Sequence, residues 1–255
     1  VDHEYGRMTV EREAFRTLAV KHVNVDTLAV TIAPVPAALI PAMLQYNRWN
    51  RDDSALARVL KGAVTQKIPV TGPRDRVRIF GVKIPLYNML RASAPLLQLV
   101  KVTSPSLPKD WQENQPYAVV QITDLAVHAR VGLSSGVVWV TGVSDGKPRG
   151  NAQVILYDTR GVAQATARTS ADGIAILGNY RPDTAATHGG GFEGYVVASL
   201  ANDKALTSIS SYDADLSPWQ FNVSSAYGVG RFPVAAAVFT ERGIYRPGEQ
   251  LYAKA

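Results

Sequence analysis

The sequence of 255 residues contains no cysteine. This absence excludes disulfide scaffolds, thiolate metal sites and cysteine nucleophiles together. It leaves the cellular compartment open, because a protein in an oxidising compartment need not use disulfides. Charged residues are also scarce at 19%, while hydrophobic residues reach 46%. A charged fraction below the roughly 25% of typical soluble domains argues against disorder, and the length favours two domains.

Long apolar runs and a leading signal sequence are missing as well. No run approaches the roughly 20 apolar residues that a membrane-spanning helix needs. No basic segment followed by an apolar core and a cleavage site opens the chain. The first residue is Val1 rather than methionine. We therefore expect an excerpt or a processed product from which any signal peptide has been removed.

Acidic residues are fewer than basic residues, 21 against 27, so the net charge is +6. The densest basic group, Arg74, Arg76 and Arg78, alternates with Asp75 and Val77. This spacing predicts a solvated strand face, so no nucleic-acid partner is expected. A polyanion-binding module stays open as an alternative, and it predicts binding that weakens steeply with salt.

Residues 1–115 are predicted to form a first module that is mostly β with a short helical insert. Apolar residues recur at helical spacing over residues 37–46 and 54–60. One predicted strand has a slip in its alternation at Asp26–Thr27, which suggests a bulge. The strands predicted from alternation cover residues 22–32, 64–70, 76–82 and 96–103.

Residues 116–231 are predicted to form a second module that is entirely β. Its short strands are separated by turn signals such as Asp145–Pro148 and Asp172–Gly173. This spacing is typical of an immunoglobulin-like or fibronectin-like sandwich, so the predicted fold class is all-β with tandem sandwiches. The predicted strands cover residues 117–122, 125–131, 137–143, 152–157, 163–169, 174–177, 195–200 and 205–210.

Residues 232–255 are predicted to be the first strands of a further, incomplete module. Residues 234–240 and 251–255 have strand character, and Arg246–Glu249 between them has proline where a turn favours it. A single hairpin is not stable alone, so we expect its companion strands beyond residue 255. This tail, with an open strand edge, is expected to be less stable than the rest.

Two strings look catalytic but do not predict an enzyme. Gly132-x-Ser134-x-Gly136 has the spacing of a nucleophile elbow, and His188–Gly191 resembles the oxyanion loop of hydrolases. The elbow requires a strand, a sharp turn and then a helix, whereas a strand follows here. The glycine run also follows the serine instead of preceding it. No catalytic residue is therefore assigned, and a hairpin and a glycine loop explain both strings.

No metal or cofactor site is predicted. The histidines, His3, His22, His128 and His188, lie far apart without ligand spacing. Of these, His128 alternates with apolar neighbours and is expected to point off the outer face of its strand. A dinucleotide site is not expected, because Gly228-x-Gly230 lacks a third glycine and a helix. The aromatic residues expected in cores or module junctions are Trp139, Tyr157, Trp219 and Phe221.

The second module carries five short motifs, which are residues 121–127 (QITDLAV), 138–141 (VWVT), 146–148 (GKP), 151–154 (NAQV) and 171–173 (ADG). In sequence and in order they resemble a macroglobulin-like domain of bacterial α2-macroglobulins. The family motifs are TDLG, VWVT, GKPVxGAxV and TDADG. This chain departs from them modestly, with alanine for the glycine of TDLG and asparagine before the alanine of the turn.

The end of the chain resembles the opening of the next macroglobulin-like domain. Residues 239–249 (FTERGIYRPGE) are similar to the family string TDRGIYRPGE, with Glu241 in place of aspartate. The first region resembles a preceding domain more loosely, through Asn24–Asp26 and the short helices that follow. Together these resemblances imply tandem macroglobulin-like sandwiches.

The resemblance also implies a function. Members of this family are periplasmic, often lipid-anchored proteins that trap proteases, and they are several times longer than this chain. Their bait region and Cys-Gln thioester are not assigned here, because the chain has no cysteine. The implied role is a non-catalytic scaffold beside neighbouring macroglobulin-like domains, with proteases bound elsewhere and the membrane reached only through a lipid anchor. A module array of an adhesin or cell-envelope structural protein is the alternative, since such turns close hairpins in many β-proteins.

Overall fold

Strands dominate the computed structural model, which confirms the all-β class. It describes residues 1–3, 6–12, 17–45, 53–84, 96–114, 117–132, 134–180, 192–209, 239–240, 244–246 and 248–254. In this part of the chain the helices are short, and none is long and apolar enough to cross a membrane.

The first module contains two sheets, the helices predicted within residues 37–46 and 54–60, and a further short helix, α3, that the sequence did not predict. Sheet A has the strand order β1-β3-β6. Sheet B has the order β2-β8-β7-β4-β5, antiparallel except for the pair β2 and β8. The strands are β1 (Asp2–His3), β2 (Gly6–Glu11), β3 (Thr17–His22), β4 (Thr27–Pro34), β5 (Val64–Pro69), β6 (Arg78–Lys83), β7 (Gln98–Thr103) and β8 (Ala118–Thr123). The helices are a 3₁₀ turn (Ala37–Leu39), α1 (Ile40–Gln45), α2 (Asp53–Leu60) and α3 (Lys109–Asn114).

The second module is an antiparallel sandwich, as its turn spacing predicts. Sheet C has the order β13-β10-β9, and sheet D has the order β12-β11-β14-β15. The strands are β9 (Leu125–Val131), β10 (Ser135–Gly142), β11 (Gln153–Asp158), β12 (Ala163–Arg168), β13 (Ile174–Gly178), β14 (Gly194–Leu200) and β15 (Asp203–Ile209). Beyond them β16 (Phe239–Thr240) pairs with β17 (Ala253–Lys254).

Alternating burial builds a separate core in each module. On β3 the buried positions are Leu18, Val20 and His22, which face sheet B, while the intervening positions are exposed. On β11 the buried positions Val154 and Leu156 face sheet C in the same way. A strand whose alternate residues are apolar can bury only one face, so each sheet requires a partner sheet.

The strand predicted over residues 22–32 is in fact two strands in different sheets. The chain leaves sheet A after His22 and enters sheet B at Thr27. Asn24 has a φ of +53°, in the left-handed region that asparagine tolerates. The slip in alternation therefore marks a turn between two sheets, not a bulge within one strand.

The strand predicted over residues 117–122 pairs with the first module. β8 lies between β2 and β7 of sheet B, although the predicted division placed it in residues 116–231. The motif Thr123-Asp124-Leu125 thus links the last strand of one sandwich to the first strand of the next. The predicted division into residues 1–115, 116–231 and 232–255 stays a prediction.

The predicted basic strand face is instead a loop. Arg74 and Arg76 precede β6, which begins at Arg78. The Arg74 guanidinium lies 3.1 Å from a carboxylate oxygen of Asp26, and Arg78 donates to the Val25 carbonyl. The basic group therefore fastens this loop to the turn between β3 and β4.

Candidate functional site

A third apolar core lies between the two modules. The helices and the outer face of sheet B contribute Ala33, Val35, Leu39, Ile40, Met43, Ala55, Val59, Leu97, Leu99 and Val119. Sheet D contributes Tyr195 and Leu206, both buried, with Tyr157 and Val197 packed beside them. The helical insert thus covers the outer face of its own sandwich and joins it to the next one. We call this cluster the module junction.

Two stacked tyrosines form the aromatic part of the junction. The rings of Tyr157 and Tyr195 are 5.0 Å apart and inclined by 13°. Burial, together with the neighbouring Tyr157 and Asp158, raises the pKa of Tyr195 to about 12. The Tyr195 hydroxyl therefore stays protonated over the physiological range. The prediction that Tyr157 is a core or junction residue is confirmed.

Gln121 on β8 links the modules by hydrogen bonds to the backbone of β15. Its Oε1 accepts from the Leu206 N–H at 2.8 Å, and its Nε2 donates to the Leu206 carbonyl at 2.9 Å. The same Nε2 lies 2.8 Å from the Thr9 hydroxyl on β2. The side-chain amide therefore satisfies both polar groups of one residue on an edge strand, as another strand would.

Asp203 makes a second polar link at the end of the junction. Its Oδ2 accepts from the Asp124 N–H at 2.8 Å, and its Oδ1 accepts from the Lys204 N–H. Arg12 of the first module lies 4.0 Å from the same carboxylate. Asp203 is buried, so these partners are what make its charge tolerable there. Sequence reasoning placed Gln121 in a family motif and Asp203 at a hairpin turn, but it assigned neither a contact between modules, because the partners are distant in sequence.

The family motifs meet in a polar cluster at one end of sheet C. Arg149 lies 3.1 Å from Asp124 and 2.9 Å from Asp145. Asp124 also accepts from the Ser144 N–H, and Asp145 accepts from the Lys147 N–H. The Thr-Asp-Leu strand and the Asp-Gly-Lys-Pro turn are therefore fastened together by one guanidinium. We call this group the turn clasp.

Hydrogen bonds set the charge state of the turn clasp. Burial opposes ionisation of Asp124, but donors from Ser144 and Arg149 outweigh it and lower its pKa. The Lys147 N–H and Arg149 likewise lower the pKa of Asp145. The two carboxylates in turn raise the pKa of Arg149. All three groups are charged at neutral pH, so the clasp is structural and offers no group poised to exchange protons.

Asp158 organises the turn between β11 and β12 beside the junction. It accepts from the N–H groups of Arg160 and Val162, and from the side chains of Arg160 and Gln164. These donors overcome the effect of burial and lower its pKa. A fully buried carboxylate with this many donors stabilises a tight turn.

The catalytic-looking serine lies in a hairpin. Ser134 is exposed between β9 and β10, and the Gly132 N–H donates to the Ser135 carbonyl to close the turn. The strand β10 follows, so the geometry is not an elbow. The other string, His188–Gly191, lies outside the described residues. That the chain is not an enzyme and has no catalytic, cofactor-binding or metal-binding residues stays a prediction.

The predicted histidines and aromatics are dispersed. His22 is buried in the first core, whereas His128 is exposed and packs against Trp139, as its alternation predicts. Trp139 lies in neither the second core nor the module junction, because it is half exposed on the outer face of sheet C; the expectation that it is a core residue is wrong. Trp219 and Phe221 lie outside the described residues. Within the described ranges no group of three His, Asp or Glu side chains could hold a metal.

Residues 122–227 match the family model of the bacterial alpha-2-macroglobulin MG3 domain. This range begins in β8 and includes every strand from β9 to β15. The second module is thus a macroglobulin-like β-sandwich. This match confirms the resemblance of the second module to the bacterial α2-macroglobulin family. No curated protein matches the chain.

Solved structures of alpha-2-macroglobulin from Escherichia coli share the fold. The native structure spanning domains MG0-NIE-MG1 is 17% identical over 76% of this chain and 59% of that chain, with a TM-score of 0.50. The native NIE-MG1 structure is 14% identical over 81% of this chain and 95% of that chain, with a TM-score of 0.53. The trypsin-activated structure is 16% identical over 79% of this chain but only 13% of that chain, with a TM-score of 0.57. The matches therefore cover about four-fifths of this chain, whereas this chain spans only 13% of the trypsin-activated structure.

Proposed function

We propose that this chain is a non-catalytic scaffold segment of a protease-trapping inhibitor of the bacterial α2-macroglobulin kind. The observation that carries the proposal is the module junction, which joins two sandwiches through a buried apolar core and the paired hydrogen bonds of Gln121. In a protease trap, cleavage of the inhibitor at one site must cause a rearrangement of its other domains. Modules that move as one body are suited to transmit it, since a packed interface does not deform continuously.

In this proposal proteases contact other parts of the full-length protein. The part described here holds neighbouring macroglobulin-like domains in a fixed orientation. We place the protein in the periplasm, attached to the inner membrane through a lipid anchor. Cell fractionation with a periplasmic and a cytoplasmic marker tests this location, and recovery with the cytoplasmic marker would contradict it.

Trapping is tested on the full-length protein with trypsin as the probe. After cleavage we expect the trypsin to co-elute with the inhibitor in size-exclusion chromatography and the radius of gyration to fall in small-angle scattering. Trypsin inactivated beforehand is the control, because it cannot cut and should elute alone. A clean cut without capture and without compaction would refute protease trapping.

A further inference from the structure

The outer face of sheet C is apolar and exposed. Four of its seven outward positions on β10 and β13 are the large apolar residues Val137, Trp139, Ile174 and Ile176, which are 41–65% exposed; the other three are Ser135, Thr141 and Gly178. The strand register sets Val137 opposite Ile176 and Trp139 opposite Ile174. The four side chains therefore form one continuous surface, which we call the apolar patch.

The outer face of sheet A is a solvent-exposed sheet face with which the apolar patch can be compared. Its outward positions on β3 and β6 are Thr17, Ala19, Lys21, Ile79, Gly81 and Lys83, all exposed. Only one of these is a large apolar residue, and two are lysines. The apolar patch has no such polar content, and contiguous apolar surface of this kind marks an interaction site.

The same chain shows what covers an apolar outer face. The outer faces of sheets B and D are apolar where the two sandwiches pack on each other at the module junction. The inner face of sheet D packs against sheet C in the second core, so the apolar patch lies on the side of the second module away from the junction. A second sandwich packed there would extend the arrangement that the junction already shows.

One margin of the patch carries the positive charge of Arg130. On β9, Arg130 is opposite Val137, and the His128 ring lies 5.7 Å from the Trp139 ring. The outward positions of β9, β10 and β13 carry no carboxylate; they are Ala126, His128, Arg130, Ser135, Val137, Trp139, Thr141, Ile174, Ile176 and Gly178. A second copy of this face would supply no acidic partner to Arg130. The chemistry favours a different surface that is apolar at its centre and acidic at its edge.

We propose that the apolar patch is the docking surface for a further β-sandwich module of a longer polypeptide, whose contacting face places a carboxylate beside Arg130. The longest structure compared above has ample polypeptide for such a module, since this chain matches only 13% of it. The proposal does not depend on protease trapping, because an array that captures nothing would still require its modules to pack.

Thiol labelling of the full-length protein tests the docking. Ile176→Cys places a thiol in the patch, and Lys83→Cys is the matched control on the exposed face of sheet A. In the native protein we expect maleimide to modify Ile176→Cys at least about tenfold more slowly, because a covered site reacts only through opening. After unfolding in guanidinium both thiols should react at the same rate. The unsubstituted protein is the blank.

Equal native rates would overturn the proposal. Protection that disappears on dilution would assign the patch to a second copy, and protection that appears only with anionic phospholipid vesicles would assign it to a membrane; either result also overturns it. Arg130→Glu should restore fast labelling of Ile176→Cys, whereas Arg130→Lys and Lys21→Glu should not. An unchanged rate in Arg130→Glu would refute the acidic edge.

Discussion

At the scale of single residues, a few polar side chains determine how the apolar surfaces of this protein meet. Gln121 satisfies both backbone groups of Leu206 on the neighbouring module, and Asp203 accepts from the Asp124 N–H. Apolar burial supplies free energy without direction. Hydrogen bonds between named atoms supply the orientation, because they fail when the partners shift.

Gln121→Ala should therefore weaken the junction more than its size suggests. It leaves the N–H and the carbonyl of Leu206 without their partner, and an unsatisfied buried group costs about 1–3 kcal/mol. Chemical denaturation of the variant should show that loss. Gln66→Ala on the exposed β5 is the matched control and should change the free energy of unfolding by less than about 0.5 kcal/mol. Equal effects of the two variants would contradict the role of Gln121.

Acid should destabilise the second module through its aspartates. The pKa values of Asp124, Asp145 and Asp158 are lowered in the folded state by hydrogen bonds and by Arg149 or Arg160. The unfolded chain then binds protons first, so this stability is complete above about pH 4 and is lost as the pH falls further. Denaturation measured from pH 6 to pH 2 checks this. Asp124→Asn should flatten the dependence, and an unchanged slope would contradict it.

His22 should add a separate pH dependence in the first module. Burial lowers its pKa, and the positive charge of Arg78 lowers it further. Its Nδ1 is buried without a hydrogen-bond partner. The unfolded chain binds a proton near pH 6.5 while the folded chain resists it, so stability should fall as the pH drops below about 6.5. His22→Phe should remove this dependence, whereas the exposed His128→Phe should leave it unchanged.

At the scale of strands and turns, close backbone approach explains the family motifs. Gly173, in the Ala-Asp-Gly turn before β13, has a φ of +75°, and an added Cβ would clash with the Val140 carbonyl oxygen. A side chain at this position would therefore force two neighbouring strands apart. The Asp-Gly-Lys-Pro turn is held differently, by the turn clasp, and the site of an added Cβ at Gly146 is open.

Three glycine-to-alanine variants separate these effects. Gly173→Ala combines a left-handed backbone with a clash and should cost more than about 3 kcal/mol. Gly146→Ala has a φ of +66° in open space and should cost about 1 kcal/mol. Gly178→Ala meets neither obstacle and should be neutral. Thermal unfolding of the three variants gives the order, and a Gly173→Ala variant as stable as Gly178→Ala would contradict the packing.

At the scale of the whole molecule, the junction decides whether two sandwiches behave as one body. Met43 is fully buried at its centre, and the helical insert that carries it reaches from sheet B to sheet D. The two modules therefore share a core in addition to having one each. Cooperative unfolding is expected where such a shared interface is large and apolar.

The described sandwiches should unfold in a single transition, and Met43→Ala should separate it into two. Removing a buried methionine costs about 2–5 kcal/mol, and here the loss falls on the shared core. Differential scanning calorimetry checks this. Leu18→Ala removes a similar volume inside the first core. It should lower the unfolding temperature of the first module without affecting the module junction. A single transition in Met43→Ala would show that the modules are coupled elsewhere.

Much of the fold of this protein follows from local patterns in its sequence. Period-two alternation and turn residues placed the strands of the second module within a few residues, because a strand pair closed by a short turn needs little beyond its own sequence. The motifs around Asp124, Asp145 and Asp172 identified the family for the same reason. Only the tertiary structure assigned β8 to sheet B, divided residues 22–32 between two sheets, and showed Trp139 exposed. Those outcomes depend on contacts between residues far apart in sequence, such as Gln121 with Leu206, which no local pattern records.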